Sequence, residues 1–245
     1  MISVVSVYNN QEILDKCLIR SLEKQNCPYE LITINNTQNE FKSAAEALNY
    51  GGNQAKGEYI MFVHQDMELN SPNWLGDVEE MIKSIEDVGV IGVAGRKGKT
   101  PRSNMKHGTP PRSVGIFPQD NPIEVQTVDE CLAIVPSRIF QENHFDEETC
   151  QGWHLYLTDY CLNLKTKGYH VYVVPKPSHH LSAGDSFSDD YYQTLRKIIK
   201  KHKNNYEWIY STTGNWHTTY PLLIQIIYNK LYRFVERIII SFFFL

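Results

Sequence analysis

Short apolar runs alternate with segments of helical periodicity from the N-terminus as far as Gly95, and few folds accept that alternation. Residues Ile2-Ser3-Val4-Val5-Ser6-Val7-Tyr8 are rich in β-branched and apolar types, and Asn9-Asn10 stops the run where a helix can begin. Ile13, Leu14, Cys17, Leu18 and Leu22 then recur at helical spacing. A second run, Leu31-Ile32-Thr33-Ile34, ends in Asn35-Asn36, and a helix through Ala44-Ala45-Glu46-Ala47-Leu48 leads to a third run, Tyr59-Ile60-Met61-Phe62-Val63. After Pro72 another helix, carrying Trp74, Leu75, Val78, Met81, Ile82 and Ile85, returns to a fourth run from Val88 to Ala94. Elements of these lengths in this order require right-handed crossovers and a largely parallel sheet, an α/β fold. The strand ends at Asn9, Asn35 and Asp66 then share one edge, which makes a nucleotide-sized crevice.

The third run continues into His64-Gln65-Asp66, so an apolar strand ends abruptly in a carboxylate. Open α/β sheets place ligands outside their strand ends, and Asp66 reads as a site residue on that ground. The fitting ligand is a divalent metal carrying a diphosphate. Mg²⁺ and Mn²⁺ take oxygen ligands and need only one or two protein carboxylates when phosphate oxygens fill the other positions. A plain cap on the turn before Pro72-Asn73-Trp74 would account for the same residue.

Beyond Gly95 the segment 96–122 is rich in Lys, Arg, Gly, Pro and Ser and lacks periodicity, so it is expected to be a long loop. Its charges Arg96, Lys97, Lys99, Arg102, Lys106 and Arg112 could meet a phosphate-bearing ligand, or could simply be solvated. Order resumes at Glu124 to Val135, an apolar strand interrupted by Asp129 and Glu130. Unpaired carboxylates are costly to bury, so these two should face a cleft, a metal or a cation. Asp159 stands near the start of the helix that follows Gly152-Trp153-His154, where capping and service as a positioned base would look alike. A last strand, Gly168 to Pro175, delivers Ser178-His179-His180, and two histidines before a small-residue turn suggest metal or phosphate contact or a structural pair.

A chain of 245 residues can build one large α/β domain with a tail. The division expected is 1–205 for the domain and 206–245 for an amphipathic helical tail. A net charge of −4 argues against a general nucleic-acid binder, which needs a basic surface. Cys17, Cys27, Cys131, Cys150 and Cys161 form an odd set without C-x-x-C spacing, which suggests reduced thiols in a cytoplasmic protein rather than a disulfide framework or structural zinc. The N-terminus enters a strand directly and shows no secretory signal. In the last stretch Leu223, Ile224, Ile227, Leu231, Phe234, Val235, Ile238 and Phe242 fall at helical spacing with Lys230, Arg233 and Arg237 among them. Those charges are too central for a bilayer span, which leaves a helix lying on the membrane surface, packing on the domain, or a homo-oligomer contact.

Taken together these segments resemble a family 2 glycosyltransferase of the GT-A fold, in particular the bacterial subgroup with His-Gln-Asp at the metal-binding strand end. The resemblance runs through Val4-Val5-Ser6-Val7-Tyr8-Asn9-Asn10, Leu14-x-x-Cys17-Leu18-x-x-Ser21-Leu22-x-x-Gln25, Asn49-x-Gly51 and Ala55-Lys56-Gly57-Glu58-Tyr59-Ile60 as far as His179-His180. It implies a mostly parallel central sheet flanked by helices and a metal-dependent, inverting transfer of a sugar from a nucleotide-diphosphate donor to a glycan or lipid-linked acceptor. The nucleotide would be held by Val7, Tyr8, Asn9, Asn35, Asn36 and Gln65. Asp66, with His179 or His180, would bind Mn²⁺ or Mg²⁺. Asp129 and Glu130 would line the donor sugar or acceptor, and Asp159 would be the general base. Three positions depart from the family pattern: Asn35 or Asn36 replaces the acid at the second strand end, His64 replaces the first acid of Asp-x-Asp, and Tyr156-Leu157 stand where related sequences carry acids. Rival readings are a metal-dependent nucleotidyltransferase or phosphohydrolase, and a non-catalytic nucleotide-sugar-binding module.

Overall fold

The computed structural model describes residues 1–116, 121–182, 189–229 and 231. Seven strands form the central sheet in the order Ile123–Glu124, His170–Val173, Val88–Gly92, Leu132–Pro136, Tyr59–Val63, Ile2–Tyr8, Tyr29–Asn35. Five share one direction, as the alternating elements predict. Leu132–Pro136 runs against both its neighbours, because the chain enters it from the acidic turn Asp129-Glu130 on the crevice edge and travels back through the sheet.

Alternation along each strand divides the core into two layers. Ile2 and Val4 of the first strand join Met61 and Val63 on one face, while Val5 joins Ile60 and Phe62 on the other. The first face is covered by Leu14, Leu18 and Leu22 and by the helix Trp74–Lys83. The second is covered by the helices Ala44–Gly52, Tyr156–Thr166 and Asp189–His202. Asn10 caps the helical segment after the first strand, its side chain accepting from the Ile13 N–H at 3.2 Å, and the segment passes through a π-helical turn at Asp15–Ile19. Helix Ala44–Gly52 lies so close to the sheet that a Cβ on Gly51 would come within 2.6 Å of Val5 Cγ1.

Two expectations are corrected. The segment from Arg96 onward is not a featureless loop: Ala94–Lys97 and Thr100–Ser103 make a hairpin, and Met105–His107 pairs with both Arg112–Ser113 and Ser178–His180. Strands of two to four residues are too short for a period to show against the turn residues around them. The chain after residue 205 does not begin as a helical tail either. Trp208–Ser211 and Gly214–His217 form a hairpin whose Ile209 and Trp216 are buried in the main core. That hairpin is bonded to the domain by Gln126 Nε2 to Trp208 O at 2.9 Å and Thr127 Oγ1 to Tyr210 O at 2.6 Å. Residues 222–229 are helical, and the rest of the expected tail, apart from Leu231, lies outside the described residues. No helix among the described residues is long and apolar enough to cross a membrane.

Candidate active site

The strand Tyr59–Val63 hands the chain to His64, whose N–H donates to Cys131 O at 2.9 Å, and Gln65-Asp66 then turn into the short strand Met67–Leu69. That strand pairs antiparallel with Ser178–His180, setting His180 opposite Met67 and His179 opposite Glu68. Successive residues of a strand point to opposite faces, so only one of the two histidines can turn toward Asp66. It is His180, with Nε2 3.2 Å from Asp66 Oδ1. His179 faces away, with Nδ1 3.0 Å from Glu68 Oε2 and Nε2 donating to Gly108 O at 3.0 Å. The expectation that His179 could bind the metal is therefore not met in this arrangement.

The third member of the group is His64, which the sequence offered only as the place of a missing acid. Its Nδ1 is 3.5 Å from His180 Nε2, and the ligand atoms of His64, Asp66 and His180 lie within 4.8 Å of one another. Burial, reinforced by the charge of His180, pushes His64 down to about 4, so its imidazole is neutral and offers a lone pair near neutral pH. Burial pushes Asp66 up, but the hydrogen bond and charge of His180 and the charge of His64 outweigh it and hold the carboxyl at about 2. For His180 the order is similar: burial lowers it, and Asp66 more than compensates. Two imidazoles and one carboxylate fit a divalent ion that accepts nitrogen as well as oxygen, and so suit Mn²⁺ better than Mg²⁺.

Beside this group opens a crevice of about 360 Å³ bordered by Val7, Tyr8, Asn9, Asn36, Gln65 and Asp66, with Trp153, His154, Tyr156 and Ser182 also on its walls. Gln65 ties two strand ends together: its Oε1 accepts from the N–H groups of Asn9 and Asn10 at 3.1 and 3.0 Å, and its Nε2 donates to Asn9 Oδ1 at 2.7 Å. Asn36 donates its backbone N–H to Tyr8 O at 2.8 Å, and its Oδ1 accepts from the Phe41 N–H at 2.9 Å. Asn35 is not among the lining residues; its Oδ1 accepts from the Thr37 N–H at 2.9 Å and shapes the turn.

Asp129 and Glu130 occupy the turn between Thr127–Val128 and Leu132–Pro136. Burial raises Asp129, but hydrogen bonds from Thr212 and from the Cys131 N–H, the latter at 3.0 Å, hold it below the ordinary carboxylate range. Glu130 goes the other way, raised by burial. Its Oε2 is 3.8 Å from His154 Nδ1, while Oε1 is buried without a hydrogen-bond partner among the described residues. Tyr156, which the sequence offered only as a departure from the acids of related chains, donates its hydroxyl to Glu130 O at 3.1 Å and lies 3.4 Å from His64 Nε2.

Asp159, expected as the base, does not reach the crevice. Its carboxylate is 2.6 Å from Lys201 Nζ and 2.8 Å from His202 Nε2, and its side chain is only 2% exposed. The first turn of Tyr156–Thr166 points this residue toward the helix Asp189–His202 rather than toward the strand ends, and the acid serves to pin that helix.

Residues 3–203 match the model of a glycosyltransferase-like family. The chain belongs to that family. Among curated proteins this glycosyltransferase-like chain is 28% identical over 156 residues to ATP synthase subunits region ORF 6 of Fuscovulum blasticum, and the match covers 59% of each chain. Among solved structures it is similar to TarS of S. aureus in complex with UDP-GlcNAc, with a TM-score of 0.58, 19% identity, and coverage of 83% of this chain and 66% of that one. GalNAc-T7 with UDP, GalNAc and Mn²⁺ gives a TM-score of 0.60 at 13% identity, covering 83% of this chain and 47% of that one. A mannosyltransferase of Pyrobaculum calidifontis in complex with GDP-Man and Mn²⁺ gives 0.58 at 12%, covering 84% and 64%. These likenesses establish a shared GT-A fold, with a mixed sheet flanked by helices.

Proposed function

We propose that this chain transfers a sugar from a nucleoside-diphosphate donor to an acceptor hydroxyl. The observation that carries the reading is the meeting of His64, Asp66 and His180 at the edge of a crevice whose opposite wall is built from the ends of the first two strands. In this reading Val7, Tyr8, Asn9 and Asn36 hold the base and ribose through neutral groups, and Gln65 keeps the two strand ends at a fixed separation. His64, Asp66 and His180 hold Mn²⁺, which when bound supplies Lewis-acid stabilisation of the departing diphosphate. Aligning donor and acceptor in one closed crevice supplies a large share of the rate. A single displacement with a base on one side and a departing diphosphate on the other inverts the anomeric carbon. UDP is the first nucleotide to test, because two of the three solved relatives described above hold UDP or a UDP-sugar. The acceptor in this reading is a glycan or lipid-linked hydroxyl of the bacterial cell surface, with the chain working in the cytoplasm near the membrane.

The test is incubation with UDP-GlcNAc, UDP-Glc, UDP-Gal and GDP-Man in the presence of MnCl₂, with chromatography of the products. Release of nucleoside diphosphate together with free or transferred sugar supports the reading. Nucleoside monophosphate as the primary product would place the chain with the nucleotidyltransferases or phosphohydrolases, and tight binding without turnover would make it a binding module.

A further inference from the structure

We propose that His154, backed by Glu130, is the base that takes the acceptor's proton; this rests on the sugar-transfer reading and deepens it. An acceptor hydroxyl must lose its proton as its oxygen attacks, so a group of suitable basicity has to border the crevice. Asp159 is sequestered with Lys201 and His202, and position 157 holds a buried leucine. His64, Asp66 and His180 are committed to one another. His154 borders the crevice, keeps 28% of its side chain exposed, and makes no hydrogen bond through Nε2 to any described residue.

Three further features converge on this residue. Its Nδ1 faces Glu130 Oε2 at 3.8 Å, an arrangement that directs Nε2 away from Glu130. Glu130 Oε1 is buried without a partner among the described residues, and a carboxylate oxygen left in that state is expensive unless it serves a positive charge at some stage of the working cycle. Leu155, next in the chain, has a φ of 67°, a left-handed conformation that a leucine rarely adopts; it turns the backbone between two crevice residues, His154 and Tyr156.

The step balances without a further reactant. The acceptor O–H bond breaks and its proton moves to His154 Nε2. The oxygen forms a bond to the anomeric carbon, and the bond from that carbon to the phosphate oxygen breaks with its electron pair leaving on the diphosphate. The resulting imidazolium is opposed by Glu130 and by the charge of Asp190 on the helix Asp189–His202, with the Tyr191 ring 6.0 Å away. The Glu130 carboxylate facing Nδ1 raises His154 above the ordinary histidine value, outweighing the opposite effect of burial.

The experiment follows donor consumption in MnCl₂ across pH for the wild type, His154→Gln, His154→Ala and Glu130→Gln, with UDP binding and thermal unfolding measured for each. His154→Gln should lower kcat about 100- to 1000-fold, in the range of a lost general base, while UDP affinity changes less than about 2-fold. Glu130→Gln removes the charge that raises His154, so the acidic limb of the kcat profile should move to lower pH. Added imidazole should restore part of the rate to His154→Ala, which a packing role would not allow. A folded His154→Gln protein with near-normal kcat and an unmoved acidic limb overturns the assignment but leaves sugar transfer standing. A wild type that binds UDP and Mn²⁺ yet turns over none of the donors overturns both.

Discussion

Asp159 Oδ2, buried, lies 2.6 Å from the Nζ of the half-buried Lys201, 42 residues further along the chain on another helix. Lys201 also reaches Asp146 at 2.8 Å, and His202 completes the cluster from the far side of Asp159. Removing one member of a buried, paired set leaves the others desolvated without compensation, at a cost of about 3 kcal/mol or more. Asp159→Ala should therefore lower the thermal midpoint clearly, while kcat per folded molecule stays near that of the wild type. A large fall in kcat with an unchanged midpoint would return Asp159 to the chemistry.

That residue also marks where sequence reasoning stopped short. An acid in a first helical turn has the same signature whether it caps the helix, ionises for catalysis or anchors a distant lysine, and nothing local to Asp159 names Lys201. The position of Asp66 on the crevice was legible because it ends an apolar strand at the edge where an open α/β sheet gathers its strand ends. Which of His179 and His180 faces Asp66 was open in the sequence; the two-residue period of their strand settles it once the pairing with Met67–Leu69 is known. His64 was read as the loss of an acid, since the sequence cannot show that its ring meets His180 from another strand. The sheet was read from its alternating elements, whereas the reversed strand Leu132–Pro136 was not, because an apolar run carries no mark of its direction.

The helix over residues 222–229 rests on the main core through Leu222 and Ile226, is tied to the domain by Gln225, and exposes Leu223, Ile224 and Ile227. Gln225 donates through Nε2 to His217 O at 2.9 Å and accepts from the His217 N–H at 2.7 Å, while Leu223, Ile224, Ile227 and Tyr228 are each at least 59% exposed. An apolar face followed in sequence by Lys230, Arg233 and Arg237 suits an anionic lipid surface. The 245-residue chain should float with phosphatidylglycerol vesicles in a density gradient and a chain ending at residue 220 should not. Equal flotation of the two removes the membrane role, and a truncation that changes the molar mass in solution would assign the face to a second copy instead.

Gln65 links the turn that carries Asp66 to the end of the first strand through three hydrogen bonds to Asn9 and Asn10. Each is worth about 1 kcal/mol at most in so open a setting, and their joint loss loosens a wall more than it unfolds a domain. Gln65→Ala should weaken UDP binding about 10-fold with little change in thermal midpoint. Calorimetric titration of UDP in the presence of Mn²⁺ checks this, and an unchanged dissociation constant would show that the wall holds its shape without the link.

Metal affinity provides the test of the central group. His64, Asp66 and His180 converge, whereas His179 is engaged by Glu68 and Gly108 on the opposite face of the same strand. Losing a group that only orients a ligand costs about 10- to 100-fold in affinity, so losing a direct carboxylate ligand should cost at least that much. Asp66→Asn should accordingly reduce Mn²⁺ affinity at least about 100-fold, His64→Ala and His180→Ala should each weaken it strongly, and His179→Ala should leave it close to the wild type. Because Mn²⁺ is paramagnetic, the free ion can be counted directly by electron paramagnetic resonance without any turnover. The decisive comparison is between the adjacent histidines: if His179→Ala weakens Mn²⁺ binding as much as His180→Ala does, the inward face of Ser178–His180 has been assigned to the wrong residue.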